Sequence, residues 1–356
     1  MLTKTKKPFI IAELSANHNH DINRAFQLME AAKVAGASAI KLQTYTADTL
    51  TLDHDSEDFV IKEGLWAGYK LYDLYDEAHT PWEWHAALFE KGKELGITVF
   101  STPFDESAVD FLETFDVPMY KIGSFELIHL PLIKYVAKLG KPIIMSTGMA
   151  TLKEIMDAVE VAQSNGCKDL TLLHCVSAYP AKIEDCNLAM MVDLKKQFPG
   201  IRIGLSDHTL GVTVAIAAVA LGAEVIEKHV TLSRAEGGVD SAFSLEPHEL
   251  ELLCKETANA ANAIGCVNYQ RNETERSNIA YRPSIYAAKN IKIGEVLTKE
   301  NIRIIRPGFG GSPQHYSTLL GRVCTLELEK GARVNCADFL SNEETTSQQN
   351  MIAEIL

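Results

Sequence analysis

No apolar run in this 356-residue sequence approaches the ~20 residues that a membrane-spanning helix needs. No CxxC pair occurs, and the cysteine count is odd: seven, at 167, 175, 186, 254, 266, 324 and 336. That pattern reads as a reduced, cytoplasmic protein with buried thiols rather than a disulfide-stapled scaffold. Positive charge is scarce. The 34 Lys and Arg stand against 47 Asp and Glu, a net charge of −13. Such a balance argues against nonspecific nucleic-acid binding and against an anionic membrane surface. An anionic small substrate stays open, because a few local lysines override the global sign. The opening "MLTKTKKPFIIAELS" has a basic start but only a short apolar run, broken by Glu13, and is not read as a signal peptide. The loop "AELSANHN" has no glycine, unlike the glycine-rich first loop common in doubly wound dinucleotide-binding sheets.

What the sequence does have is a regular alternation. Strand-like runs fall at 8–14, 38–44, 97–102, 119–124, 142–147, 170–175, 201–206 and 224–229. Helix-period segments follow them, among them 23–35, 105–115, 130–139, 151–165, 188–198, 211–222 and 247–264. Apolar runs without clean alternation suit parallel strands buried on both faces. Eight strand–helix units within residues 1–265 match the size of a (β/α)8 TIM barrel. A doubly wound sheet is the alternative, and it has fewer strands.

The connection 45–80 is too long for a plain strand–helix loop. Rich in aromatics and acids, it is expected to form a wall or lid over a polar ligand. Trp82, Trp84 and His85, after Pro81, read as the packed start of a helix. Beyond the barrel, 266–282 is polar and reads as a linker. Residues 283–340 read as a small β-rich domain with turns at "KIGE" and "EKGA", and 341–356 as a poorly ordered polar tail.

Chemistry gathers where the strand candidates end. In order these ends carry Glu13; Lys41 and Gln43; Ser101 and Thr102; Lys121 and Ser124, with Glu126 just beyond; and Ser146 with Thr147. The last three carry His174, with Ser177 and Tyr179 in the loop; Ser206, Asp207 and His208; and Glu227, Lys228 and His229. In a barrel these ends form the active-site rim. Charges inside apolar strands are costly unless paired. Ordinary readings stand beside the functional ones. Lys41 or Lys121 can snorkel outward between helices. Glu227 and Lys228 are adjacent, so at period two only one faces inward and the other is structural. His174 fits a satisfied core histidine as well as a ligand, and Cys175 reads as core. His208 and His229 close neighbouring strands, where two imidazoles and a carboxylate such as Glu13 can share a divalent metal. Spacing alone leaves that reading and the ordinary one both open. Ser124, Ser146, Ser206, Lys41 and Lys121 make a donor set for a phosphate, with Glu126 a candidate proton donor or acceptor.

Nine segments, in order, resemble the sialic acid synthase family: "IAELSANHN", "KLQTY", "STPFD", "YKIGSFE", "MSTGMA", "LLHCVSAYP", "GLSDHTLG", "IEKHVTL" and "GGVDSAFSLEP". They cover nearly all of residues 8–250. The stretch "IIRPGFG" (304–310) resembles the antifreeze-like SAF domain that those enzymes carry. The resemblance implies a cytoplasmic transferase that condenses phosphoenolpyruvate with an N-acetylated amino sugar, giving a nine-carbon 2-keto acid and phosphate. It implies a divalent metal on His208 and His229, Mn2+ foremost with Mg2+ or Co2+ as alternatives. It sets Lys121, Ser124, Ser146 and Ser206 at phosphoenolpyruvate, with Thr102 and Lys41 nearby and Glu126 handling protons. Glu13, Gln43, Tyr179 and Asp240 match positions facing the sugar. Arg306 matches an arginine that the SAF domain sends into the partner's site, which implies a homodimer. Ser177 stands where sialic acid synthases often carry Asn. Within the family, "LWAGYKLYDLYDEAHTPWEWH" (65–85) resembles the branch whose acceptor is 2,4-diacetamido-2,4,6-trideoxy-L-altrose and whose product ends on flagellin or a surface polysaccharide. Competing readings are a neuraminate- or legionaminate-forming member using another N-acetylated hexose, a metal-dependent pyruvate aldolase, and a carbohydrate-binding protein on a dead barrel.

Overall fold

The computed structural model describes residues 7–339, so the tail 341–356 lies outside the described residues. The chain forms two compact units, Met1–Cys266 and Val267–Leu356. The first is a closed barrel of eight parallel strands in sequential order. They are β1 (Phe9–Glu13), β2 (Ala39–Thr44), β3 (Thr98–Pro103), β4 (Tyr120–Ile122), β5 (Ile143–Ser146), β6 (Leu170–Cys175), β7 (Arg202–Asp207) and β8 (Val225–His229). β8 pairs with β1 in parallel, closing the ring with Glu13 opposite His229.

Helices cover the outside, and local sequence starts and stops them. Helix Ile22–Ala35 begins at Asp21, whose carboxylate accepts from the Asn23 amide, and ends at Gly36, which adopts φ 94°. Helix Leu152–Ser164 begins with a reciprocal Thr151–Glu154 capping box. The long connection after β2 is not structureless. It contains helices Ala47–Leu50 and Leu71–Ala78 and a Val60–Lys70 antiparallel bridge. Trp82 stacks on Phe111 with ring centres 4.5 Å apart, a packing role.

Strand parity divides the barrel. Ile10, Ala12, Ile40, Leu42, Tyr120, Ile122, Leu172, Leu205 and Ile226 sit in the large core between strands and helices. The alternate positions Ile11, Ala39, Phe100, Ile144, Leu173 and Val225 form a separate cluster with Phe9 and Met119, which fills the barrel floor. On β7 the floor position is Gly204, where an added Cβ would run into the Val225 carbonyl and stand 2.7 Å from Leu173 Cδ2. The strand backbones approach that closely only because this residue lacks a side chain.

The second unit has its own core of Ile285, Ile291, Leu297, Ile302, Leu319, Leu328 and Val334. Its one two-stranded sheet pairs β9 (Ser284–Ala287) antiparallel with β10 (Ile302–Ile305). The stretch read as a linker carries a helical turn, Glu273–Arg276, and a 3-10 turn, Ser277–Tyr281. Cys167, Cys175, Cys186, Cys254 and Cys324 are free and buried, and Cys266 is free and exposed. No helix among the described residues is long and apolar enough to cross a membrane.

Replacing Gly204 with Ala should therefore overpack the floor and lower unfolding stability by about 2 kcal/mol. Chemical denaturation reads this directly, and an unchanged midpoint would contradict the close approach of β7 and β8.

Candidate active site

The polar site stands one step above the apolar floor. Two residues on from Ile11, Ala39, Phe100, Met119, Ile144, Leu173, Gly204 and Val225 come Glu13, Lys41, Thr102, Lys121, Ser146, Cys175, Ser206 and Glu227. Each keeps the inward parity of its strand. Gln43, His208 and His229 follow one step higher, at or just past the strand ends.

The lower polar layer is a charge quartet. Lys41 Nζ lies 2.6 Å from Glu13 Oε2 and 3.7 Å from Glu227 Oε1, and it donates to Thr102 Oγ1 at 3.1 Å. Lys121 Nζ lies 3.3 Å from Glu227 Oε1, which also accepts from Ser206 Oγ at 3.2 Å. Burial pushes the Lys121 ammonium down from the usual lysine range. Burial acts on Lys41 too, but Glu13 and Glu227 outweigh it and hold its pKa up. For Glu227, burial raises the carboxyl, and Lys121 and Lys41 more than offset it, so the net shift is downward. For Glu13 burial outweighs Lys41 and raises the carboxyl. The surroundings therefore favour charge on Lys41 and Glu227, and burial works against it on Glu13 and Lys121.

Above this layer opens a cavity of about 520 Å³, within the range of small-molecule sites. Lys41, Gln43, Thr102, Lys121, Ser124, Glu126, Ser146, Tyr179, Ser206, His208, His229 and Asp240 all line it, as the sequence reading expected of a single pocket. Ser146 Oγ is buried with no partner in the protein. Ser124 Oγ accepts from the Gly148 amide at 3.1 Å. Gly148 leaves room for it, since a Cβ there would lie 2.8 Å from Ser124 Oγ and collide with Ser177 Oγ. Burial pushes the Glu126 carboxyl up, so it keeps its proton to higher pH than an ordinary carboxylate.

Three expected residues stand elsewhere. Glu13 is fully buried and does not line the cavity. It lies behind Lys41 and Gln43, accepting from the Ser15 amide at 3.1 Å and from Gln43 Nε2 at 3.2 Å. It stands at the same inward step as Lys41, but Lys41, Gln43 and Ser15, which line the cavity, take up its carboxylate and cover it. Ser177 is half-buried, with its Oγ 3.8 Å from Cys175 Sγ, and is not a lining residue. Arg306 follows β10 in the second unit and is exposed.

The two histidines are neighbours, with ring centres 5.4 Å apart. His208 Nδ1–H donates to the Val176 carbonyl at 3.0 Å, which leaves Nε2 with a lone pair. His229 Nδ1 is buried without a hydrogen-bond partner, and burial pushes its pKa well below the usual value, so the ring is neutral. Burial lowers the His208 pKa, but Cys175 and the Val176 carbonyl more than offset it and hold it above the usual value. Two imidazoles that each keep one ring nitrogen for a ligand, once His208 has lost its proton, suit a divalent metal. Among the described residues no group of three or more His, Cys, Asp or Glu is arranged to hold a metal ion. The third ligand expected from the sequence, Glu13, is committed to Lys41, Gln43 and Ser15.

Parity also resolves the pair left open. Glu227 faces the pocket, whereas Lys228 faces outward and pairs with Asp207 at 2.7 Å. Asp207 in turn accepts from the Thr209 amide at 2.9 Å and from Thr209 Oγ1 at 2.7 Å, and Lys228 Nζ donates to the Thr209 carbonyl. These bonds fix the turn that carries His208. His174 also faces outward and donates from Nε2 to the Cys186 carbonyl at 2.7 Å, the satisfied histidine of the bland reading. Cys175, read as core, is buried but lines the pocket 3.7 Å from His208 Nδ1. Glu227 shares the parity of His229, a signal already present in the sequence. Ser15 gave no such signal, because it lies past the end of β1 in a short 3-10 turn, Ser15–His18. It donates to Asp240 Oδ2 and receives Gln43 Nε2 at 2.9 Å.

A closed parallel barrel with cations, hydroxyls and paired imidazoles at the carboxyl ends of its strands defines a (β/α)8 enzyme. Comparison with known proteins specifies it further. The chain belongs to the NeuB family, whose model matches residues 28–269, and a SAF domain matches 282–339. It is 45% identical over 334 residues to a pseudaminic acid synthase of Campylobacter jejuni, covering 94% of this chain and 97% of that one. Identity to the pseudaminic acid synthase of Helicobacter pylori is 42%, over 93% of this chain and 98% of that one. A crystal structure of N-acetylneuraminic acid synthetase from Leptospira borgpetersenii matches with TM-score 0.69 and 32% identity, covering 77% of this chain and 91% of that one.

Asp207→Asn should leave Lys228 as an uncompensated buried charge and destabilise the protein by about 3 kcal/mol. Urea unfolding measures the loss. A variant as stable as the parent would show that the pair does not hold the turn.

Proposed function

We propose that this protein is a pseudaminic acid synthase, a carbon–carbon bond-forming transferase. It condenses phosphoenolpyruvate with 2,4-diacetamido-2,4,6-trideoxy-L-altrose and releases phosphate. The observation that carries the reading is one cavity lined by Lys41, Lys121, Ser146 and Ser206 together with His208 and His229. An acidic protein has little other reason to gather two lysines and a buried serine hydroxyl without a partner. The pseudaminic acid synthases among its relatives supply the choice of acceptor.

Lys41 and Lys121 bind phosphate and carboxylate of phosphoenolpyruvate, and Ser124, Ser146, Ser206 and Thr102 donate to the remaining oxygens. Such fixed donors hold the two reactants in register, which alone contributes several kcal/mol. His208 and His229 would hold a divalent metal, Mn2+ foremost and Mg2+ or Co2+ as alternatives. When bound it polarises the aldehyde of the open-chain sugar as a Lewis acid. C3 of phosphoenolpyruvate attacks that carbonyl carbon, and positive charge develops at C2. Water adds at C2, and the proton it loses balances the one gained by the new alkoxide. Glu126 then protonates the departing phosphate as the C2–O bond breaks, and recovers a proton from the C2 hydroxyl as the ketone forms. Glu13 holds Lys41 and Gln43 in place. A homodimer would bring Arg306 of one copy to the site of the other. Phosphoenolpyruvate as substrate and buried free thiols suit the cytoplasm.

The test is incubation with phosphoenolpyruvate labelled with 18O at its bridging oxygen, Mn2+ and a panel of mono- and diacetamido sugars. Mass spectrometry should find a nine-carbon 2-keto acid and the label in phosphate. Label in the keto acid, or no phosphate at all, would refute the condensation and favour a pyruvate aldolase. His208→Ala and His229→Ala should each cut turnover by roughly 10³-fold or more in metal-replete buffer. Full activity after EDTA treatment would eliminate the metal. Because Glu126 must carry its proton, kcat should fall as pH rises through its raised pKa. Glu126→Gln should lower kcat by roughly 10²–10⁴-fold and flatten that limb.

A further inference from the structure

The lining of the cavity has two chemistries. Besides the lysines and serines of the strands, it includes Leu50, Ile61, Trp66, Leu74 and Tyr75 from the insertion after β2, together with Val239. We propose that this apolar wall, centred on Trp66, selects the acceptor. It takes a sugar whose outward groups are methyls, from acetamido substituents and a deoxygenated terminal carbon, and it rejects one with free hydroxyls there. The inference rests on the condensation proposed above and adds which residues choose the sugar.

Trp66 is held in place by its surroundings. Gly64 and Gly68, with φ of 88° and 93°, flank it, and the Gly68 amide donates to the Ile61 carbonyl at 2.8 Å. Left-handed backbone on both shoulders makes a tight loop that turns the indole inward. Its Nε1–H donates to the Val239 carbonyl at 3.1 Å. The ring therefore offers the cavity a carbon face with no free donor. It packs against Tyr179 with ring centres 5.5 Å apart, and Tyr179 lies 4.5 Å from the His208 ring. One ring, that of Tyr179, thus stands between Trp66 and the imidazole pair. Val239 precedes Asp240, whose carboxylate accepts from Ser15 and lies 3.8 Å from His229 Nδ1. The indole consequently also ties the insertion to the loop that reaches the histidines.

A sugar hydroxyl turned toward such a wall loses its water partners and gains none, whereas a methyl gains contact. Discrimination of this kind amounts to roughly 100-fold in kcat/KM. The experiment compares 2,4-diacetamido-2,4,6-trideoxy-L-altrose with N-acetyl-D-mannosamine, which carries hydroxyls at C4 and C6. Both are run with phosphoenolpyruvate and Mn2+ on the full chain. The parent should favour the deoxygenated sugar by roughly 100-fold, and Trp66→Ala should shrink that ratio by about tenfold or more, through acceptor KM. The KM for phosphoenolpyruvate should stay within about twofold. Trp66→Phe, which keeps a ring and loses the N–H, should retain most of the selectivity. Where Trp66→Ala fails to fold, Ile61→Thr shortens the wall and places a hydroxyl in it, and should move the ratio the same way.

Equal losses on both sugars, an unchanged ratio in Trp66→Ala and Ile61→Thr, or a rise confined to the phosphoenolpyruvate KM would each overturn the proposal. A parent enzyme that condenses both sugars equally well overturns the selectivity alone. One that makes no keto acid from phosphoenolpyruvate and any sugar overturns the function on which it rests.

Discussion

The site depends on a buried quartet of charges, Glu13, Lys41, Glu227 and Lys121, set one inward step above the barrel floor. Two ammonium groups inside a protein repel each other and lose their hydration. They stay charged only where carboxylates stand within a few ångströms. Four strands contribute one member each, β1, β2, β4 and β8. Glu13 and Lys41 pair across neighbouring strands, whereas Lys121 on β4 and Glu227 on β8 meet across the barrel, so that pair depends on the closed ring.

Around that layer the protein divides its labour by strand parity. Outward polar residues do structural work: Lys228 with Asp207 fixes the turn of His208, Thr44 Oγ1 lies 2.6 Å from Ser101 Oγ, and His174 satisfies a loop carbonyl. Inward ones line the cavity or support those that do. The insertion after β2 then supplies what the strands lack, a broad apolar surface, by folding short helices and a glycine-flanked loop over one side. One cavity is thus lined by two unlike sets of groups, lysines and hydroxyls from the strands and apolar side chains from the insertion.

Much of this was legible in the chain. All eight strand runs fall within about two residues of the observed strands, because buried parallel strands are uninterrupted apolar runs bounded by turn residues. Twelve of the expected site residues line one cavity, since barrel strands end at a common rim. Legibility failed where neighbouring side chains or loop path decide. Glu13 has the right parity, strand and height but is covered by Lys41, Gln43 and Ser15. Ser177 touches Cys175 without lining the cavity. Ser15, in a short 3-10 turn, and Trp66, in a loop, have no periodicity to aim them, and the use of Gly148 as space for Ser124 is visible only with both loops in place.

By itself, the sequence determined the elements, their order and the list of polar groups that end each strand, because these follow from local periodicity and composition. Tertiary structure decided which of those groups meet. Whether Glu227 or Lys228 enters the pocket, whether Glu13 touches a substrate or only a lysine, and where the indole of Trp66 points are set by ring closure, strand register and a long loop's path. Those are relations between residues far apart in the chain, and no local pattern encodes the distance between them.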